Sequence, residues 1–271
     1  MAGKRASWRE EGVFEGTLMR TIFFLLLAAG GSVLALDLRD LVNRTIEESS
    51  EQTMRIVFEP PTRTDQQRPY FPHALPVLPG SESPAMPGVS GRPTPEMVGA
   101  RMTFYVGDNG NVSAIGRIDP GSAADFDKFL DQNAAKVKTI WLLSPGGSVS
   151  DAMTMGRSIR KRGLNTTVAD KGYCASSCPL VFAGGVARHA GQQAMIGVHQ
   201  IYAVPSGDVT WHDGISAAQQ ISAQCEEYLH SMGVDPSAWI KAMQTPKERL
   251  YIFRPDELET LKFTAKEPSQ T

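Results

Sequence analysis

The chain has 271 residues, 41 % of them hydrophobic, enough for one sizeable core and too few for several domains of ~100–200 residues each. Its 27 basic and 29 acidic residues give a formal net charge of −2, so the basic excess that marks a nucleic-acid-binding surface is missing. The densest basic segment, Arg157-Ser158-Ile159-Arg160-Lys161-Arg162, reads as a solvated helix end, where cations suit the negative pole of the macrodipole.

From Thr21 to Leu36 the chain carries no charge, between Arg20 and Asp37. This run is shorter than the ~20 residues of a membrane span and close to the ~7–15 of a signal-peptide core, so export is expected. Two outcomes stay open: cleavage after Val33-Leu34-Ala35, or retention of residues 21–36 as an anchor. In a bacterial cell the rest would be periplasmic, or held on the inner membrane facing the periplasm. Residues 1–18 mix Lys4, Arg5 and Arg9 with Glu10, Glu11 and Glu15, an odd leader, and Met19-Arg20 is the better start of a signal sequence.

Residues 37–57 suggest one short helix or strand, with Leu41, Val42, Ile46, Met54, Ile56 and Val57 as its apolar positions. From Glu59 to Pro95 prolines recur without a periodic apolar pattern, which predicts an extended tether. The division expected is therefore 1–36 signal peptide or anchor, 37–99 short segment and linker, and 100–265 catalytic domain.

That domain opens with Met102–Val106 and Asn111–Gly116 around Gly107-Asp108-Asn109-Gly110, a hairpin signal because Asn-Gly tolerates positive φ. Ala123, Phe126, Phe129 and Leu130 recur at helical spacing, Val137–Leu143 reads as a buried strand, and Val149, Ala152, Met153, Gly156 and Ile159 mark a helix face. Strands at 166–168 and 194–198 and helices at 178–184 and 215–232 follow. This succession predicts an α/β fold, a mostly parallel sheet with flanking helices and an N-terminal hairpin.

Three motifs carry chemistry. Ser144-Pro145-Gly146-Gly147 ends a buried strand, and its glycines free backbone N–H groups to face negative charge. Ser176 and Ser177 stand before the apolar Pro179–Ala183, where a serine is either a helix cap or a nucleophile. His199-Gln200 ends the 194–198 strand, so His199 is either a strand-end histidine or the base that activates a serine. Cys174 and Cys178 flank Ser176 and are read as one i,i+4 pair, open between a strained disulfide and two buried thiols. With Cys225 far away no second ligand pair exists, so neither a metal nor another cofactor is expected.

In this order the motifs, with Gly172–Ser176 as the nucleophile segment and Ala183–Arg188 as a small-residue stretch ending in a base, resemble the Clp protease proteolytic subunit and crotonase-like superfamily. That group includes the signal peptide peptidases, and the resemblance covers about 137–262. It implies Ser176 as nucleophile, with Ser177 as the rival one residue on, and His199 as general base. The N–H groups of Gly147 and Ser177 would hold the oxyanion. It also implies a peptide or protein substrate and association into homo-oligomers. At the family's acidic position this chain has Arg249, with Glu248 beside it as a candidate third member. A dyad without an acid, and Lys171 as base in the manner of the signal peptide peptidases, are the alternatives.

The function expected is an exported serine peptidase or hydrolase of the cell envelope. The reading from another class is a non-catalytic envelope binding or assembly protein that keeps the fold. Acyl-CoA chemistry is disfavoured because export removes the chain from cytoplasmic CoA. No Gly-x4-Gly-Lys-Ser/Thr loop is present, so any ATP-driven unfolding would need a partner.

Overall fold

The computed structural model describes residues 19–39, 56–57, 60–73, 75–77, 82–133, 136–201 and 211–264. The mixed-charge leader 1–18 and the apolar positions Leu41, Val42, Ile46 and Met54 lie outside the described residues. Contacts divide the chain into two units, Met1–Met54 and Arg55–Thr271. In the first, a 21-residue helix, α1 (Met19–Arg39), has a mean hydropathy of 2.0 and is long and apolar enough to cross a membrane. Its Phe23, Phe24, Leu25, Leu26 and Leu34 are all exposed.

The second unit is mixed α/β. It begins with β1 (Ile56–Val57), β2 (Gln67–Pro69), β3 (Pro76–Val77) and α2 (Pro95–Gly99). The hairpin follows as β4 (Thr103–Val106) and β5 (Asn111–Ile115), joined through a short 3-10 turn in which Asn109 and Gly110 take φ of 58° and 83°. Next come α3 (Ser122–Asn133), β6 (Thr139–Leu143), α4 (Val149–Lys161), β7 (Asn165–Val168), β8 (Tyr173–Ala175) and α5 (Cys178–Ala183). The chain closes with β9 (Arg188–Ala190), β10 (Met195–Val198), α6 (Trp211–Ser231), α7 (Ser237–Gln244), β11 (Arg249–Ile252) and α8 (Pro255–Thr260).

A five-stranded sheet runs β4-β5-β6-β7-β9, antiparallel in the hairpin and parallel elsewhere. A four-stranded sheet runs β2-β11-β10-β8, with β10 parallel to β8 and antiparallel to β11. The sheets touch where Ser144, just past β6, bridges in parallel to Cys174 of β8. β6 is buried on both faces: Ile140 and Leu142 enter one apolar cluster with α3, α4, α5 and α6, while Leu143 enters a second with Ile115, Tyr173 and Ile252.

The second cluster corrects the tether expected over 59–95. Leu75 and Met86 are buried in it, joined by Val98 of α2 just beyond, and β2 pairs antiparallel with β11 from Pro69↔Arg249 to Gln67↔Tyr251. A face of the sheet that would otherwise meet water takes the sparse apolar residues of this segment as its cover. Prolines permit this because β2 is an edge strand, where a missing N–H costs no ladder bond.

The helices meet around Gly156. Tyr228 of α6 donates to the Leu180 carbonyl of α5 (2.8 Å), and a Cβ at Gly156 would run into that hydroxyl and lie 2.9 Å from the same carbonyl. Gly156→Ala is therefore expected to destabilise the fold by about 1–3 kcal/mol, as overpacking does. Urea denaturation of the two proteins reads it.

Candidate active site

Three neighbouring parallel strand ends converge. Ser144–Gly147 leaves the end of β6, Ser176 the end of β8 and His199 the end of β10, and the carboxyl ends of parallel strands are where α/β sheets bind ligands. The registers set their spacing. Ile196 and Gly197 face Cys174 and Ala175, and the Ser176 amide donates to the Gly197 carbonyl (2.9 Å), two residues before His199. Gly147, Ser176, Ser177 and His199 all line one cavity of about 410 Å³, with Tyr70, Asp119 and Trp239 among its other walls.

Ser176 has φ of 62°, a left-handed conformation uncommon for a residue with a side chain. It forms the reversal between β8 and α5, while Ser177 is the residue that precedes α5. Cys174 and Cys178 are joined by a disulfide across this reversal, Cα to Cα 5.2 Å. The strain expected of an i,i+4 pair in one helix does not arise, because Cys174 belongs to β8 and only Cys178 to α5. The third cysteine, Cys225 of α6, is a free buried thiol pushed up to about 12 by burial.

Gly146 and Gly147 (φ 93° and 143°) let the turn after β6 press against the reversal. A Cβ on Gly146 would sit 2.6 Å from the Ser176 Cβ and 2.8 Å from the Ser177 amide nitrogen. On Gly147 it would strike the Ile118 carbonyl. The turn is fixed by Ile118 N–H to Gly146 O (2.9 Å), Ser148 N–H to Ile118 O (2.6 Å) and Gly146 N–H to the Ser144 hydroxyl (3.1 Å). The N–H groups of Gly147 and Ser177 have no acceptor among the described residues, nor does the Ser177 hydroxyl, which is buried. Both N–H groups are thus free to receive an oxyanion.

His199 is only 4 % exposed. Burial lowers its pKa from 6.5 to about 4, while the Gln200 backbone and the Glu248 charge pull the other way. At neutral pH it is an uncharged imidazole with proton-accepting capacity. The Tyr70 ring packs against it with centroids 4.4 Å apart at 36°. The Ser176 hydroxyl makes no hydrogen bond among the described residues, so its contact with His199 is not closed in this structure.

Glu248 is placed close enough to act on His199 through its charge. Its carboxylate is 69 % exposed and pairs with Lys247 at 3.8 Å. The turn into β11 leaves its side chain toward solvent and its carbonyl toward Tyr70 N–H (2.8 Å). Arg249 is engaged with Gln67 across the β2–β11 ladder. Lys171, the alternative base, lies away from Ser176, in a hollow walled by Glu82, Arg92 and Asp170. Among the described residues no three His, Cys, Asp or Glu side chains are grouped to hold a metal ion.

Tyr70, Asp119 and Trp239 are among the cavity residues that the sequence motifs do not reach. Tyr70 lies in the segment expected to be a linker, and its one local signal is an aromatic residue beside Gln67-Arg68-Pro69. Trp239 has a helical context, and its indole N–H is buried without a hydrogen-bond partner. Comparison with protein-family models gives no match, and comparison with curated proteins gives none either.

A histidine that folds into a site lowering its pKa resists protonation only in the native state. Stability from His199 is complete above pH 6.5 and is lost as pH falls from 6.5 to about 4, an effect of about 3 kcal/mol for a shift of this size. Chemical denaturation between pH 4 and 7 should show this slope in the native protein and lack it in His199→Gln. Replacing both Cys174 and Cys178 by serine should remove about 2 kcal/mol, the chain-entropy value for so short a loop. Thermal melts with and without reductant would measure that loss.

Proposed function

We propose that this chain is a serine hydrolase of the Clp protease and crotonase-like type, acting on peptide or protein bonds. One observation carries the reading: the nucleophile candidate Ser176, the base candidate His199 and two unaccepted N–H groups, of Gly147 and Ser177, line a single cavity. In the reaction the Ser176 Oγ attacks the scissile carbonyl carbon while His199 takes its proton. The carbonyl oxygen becomes an oxyanion received by the two N–H groups, each donor worth ~2.7–4 kcal/mol at the transition state. His199 returns the proton to the leaving amine as the C–N bond breaks. Water, deprotonated by the same histidine, then releases the acyl group from Ser176.

With the Glu248 carboxylate solvated and paired with Lys247, the form that fits is a dyad, and Glu248 contributes at most a field. Under the same proposal α1 is an export signal or anchor, the hydrolase works outside the cytoplasm, and copies associate as the resemblance implies. The open Ser176 hydroxyl favours a second reading, a non-catalytic binding or assembly protein of the envelope. An apo site whose hydrogen bonds close only on substrate fits the first equally.

The two separate on the serine's reactivity. The full-length protein treated with a fluorophosphonate should carry the label on Ser176, as located by peptide mass spectrometry. Labelling should vanish in Ser176→Ala and slow by at least ~10²-fold in His199→Ala. A folded protein that takes no label would belong to the binding reading.

A further inference from the structure

Tyr70 joins three parts of the site that no other described side chain joins. Its ring packs on the His199 imidazole, its hydroxyl donates to the Pro145 carbonyl in the turn after β6 (2.8 Å), and its N–H donates to the Glu248 carbonyl before β11 (2.8 Å). The β2–β11 pairing ends at Pro69↔Arg249, so Tyr70 stands one residue past a fixed register. A long side chain anchored at its backbone and its tip has little rotamer freedom left. The His199 imidazole therefore packs against a face that is itself held in place.

We infer that Tyr70 is the positioning residue of His199, fixing the plane of the imidazole and coupling it to the Gly146-Gly147 turn that supplies an oxyanion donor. This rests on the reading of His199 as general base. The task resembles that of the acid in a triad, with a different physical content. A carboxylate selects the imidazole tautomer and stabilises the imidazolium. An aromatic face and a hydrogen bond to the neighbouring turn do neither; they restrict the ring's orientation and keep water from it. The titratable groups around His199 are consistent with that division: Tyr70 just past β2, the exposed Glu248 before β11, and Asp119 on the cavity wall, already paired with Arg117 at 2.9 Å. A restricted ring matters because a misplacement of about 1 Å at a reacting group can cost ~10²-fold in rate.

The test uses the full-length protein in detergent, with the histidine rings isotope-labelled and the His199 signal assigned by its loss in His199→Gln. Tyr70→Phe keeps the ring and removes the tie to Pro145; Tyr70→Leu removes both. In Tyr70→Leu the imidazole titration should move up by more than one pH unit from about 4 toward 6.5, since water reaches the ring. Fluorophosphonate labelling of Ser176 should slow by about 10-fold in Tyr70→Phe and about 10²-fold in Tyr70→Leu, with the phenylalanine variant as the partial rescue. Labelling at the native rate in both variants overturns the proposal, whatever the titration does. If the native protein itself takes no label, the hydrolase reading fails and the titration decides alone. A shift in Tyr70→Leu then leaves Tyr70 as the residue that seats His199, and no shift overturns it. Should Tyr70→Leu not fold, the labelling rate of Tyr70→Phe decides: slowed labelling supports the positioning role and the native rate overturns it.

Discussion

The backbone reversal at Ser176 is the constraint on which the site is built. A left-handed residue with a side chain is held against a cost of order 1–3 kcal/mol, so the surroundings must over-determine it. Three attachments do so here: the Cys174–Cys178 bridge spans the reversal, the Ser176 amide is tied to β10, and Gly146 closes on it from the β6 side. Each comes from a different strand end. The same close approach explains why the turn after β6 must be glycine at Gly146, since any side chain there would displace the serine it faces. Ser177, whose N–H has no acceptor among the described residues, reaches the cavity wall because it directly follows this reversal.

His199 is seated under a different compromise. Burying an imidazole keeps it neutral and fixed, and it also weakens it as a base, because the same burial that excludes water penalises the imidazolium formed during proton transfer. The charge of Glu248 offsets that penalty only in part, since the pKa still falls to about 4. Catalysis at such a site would lean on geometry and on the oxyanion donors more than on the basicity of the histidine. That places the weight on whatever orients the ring, which in this fold is the segment preceding the α/β core.

The elements that packing alone dictates are legible in the sequence. Val137–Leu143 is apolar because β6 is buried on both faces, the Asn-Gly turn needs its positive φ, and the helix at 178–184 is apolar because it lies inside the bundle. Motif order places Gly147, Ser176, Ser177 and His199, and they do share one cavity. Short strands escape because two of them, β8 and β11, are defined by their partners more than by their own residues. Tyr173-Cys174-Ala175 has no alternation and takes its conformation from β10 and from Ser144. The proline-rich segment misleads because low periodicity suggests lack of contact, whereas a few apolar residues such as Leu75 and Met86, with Val98 just beyond, are enough to cover a sheet face already formed. Local sequence also hides the geometry of the cysteine pair, since four residues apart means one thing within a helix and another across a strand end.

The pairing of β2 with β11 brings together residues far apart in the chain, and the Arg249 side chain that donates to Gln67 is 182 residues from it. Closing so large a loop comes late in folding, because its entropy is lost before the contact repays it. During synthesis the segment bearing Tyr70 leaves the ribosome early and waits for a partner strand made near the end. His199 therefore acquires its aromatic cover only after almost the whole chain exists. Under the proposed function a serine whose base is unseated would be a weak nucleophile, so the nascent chain would stay chemically quiet until β11 is made.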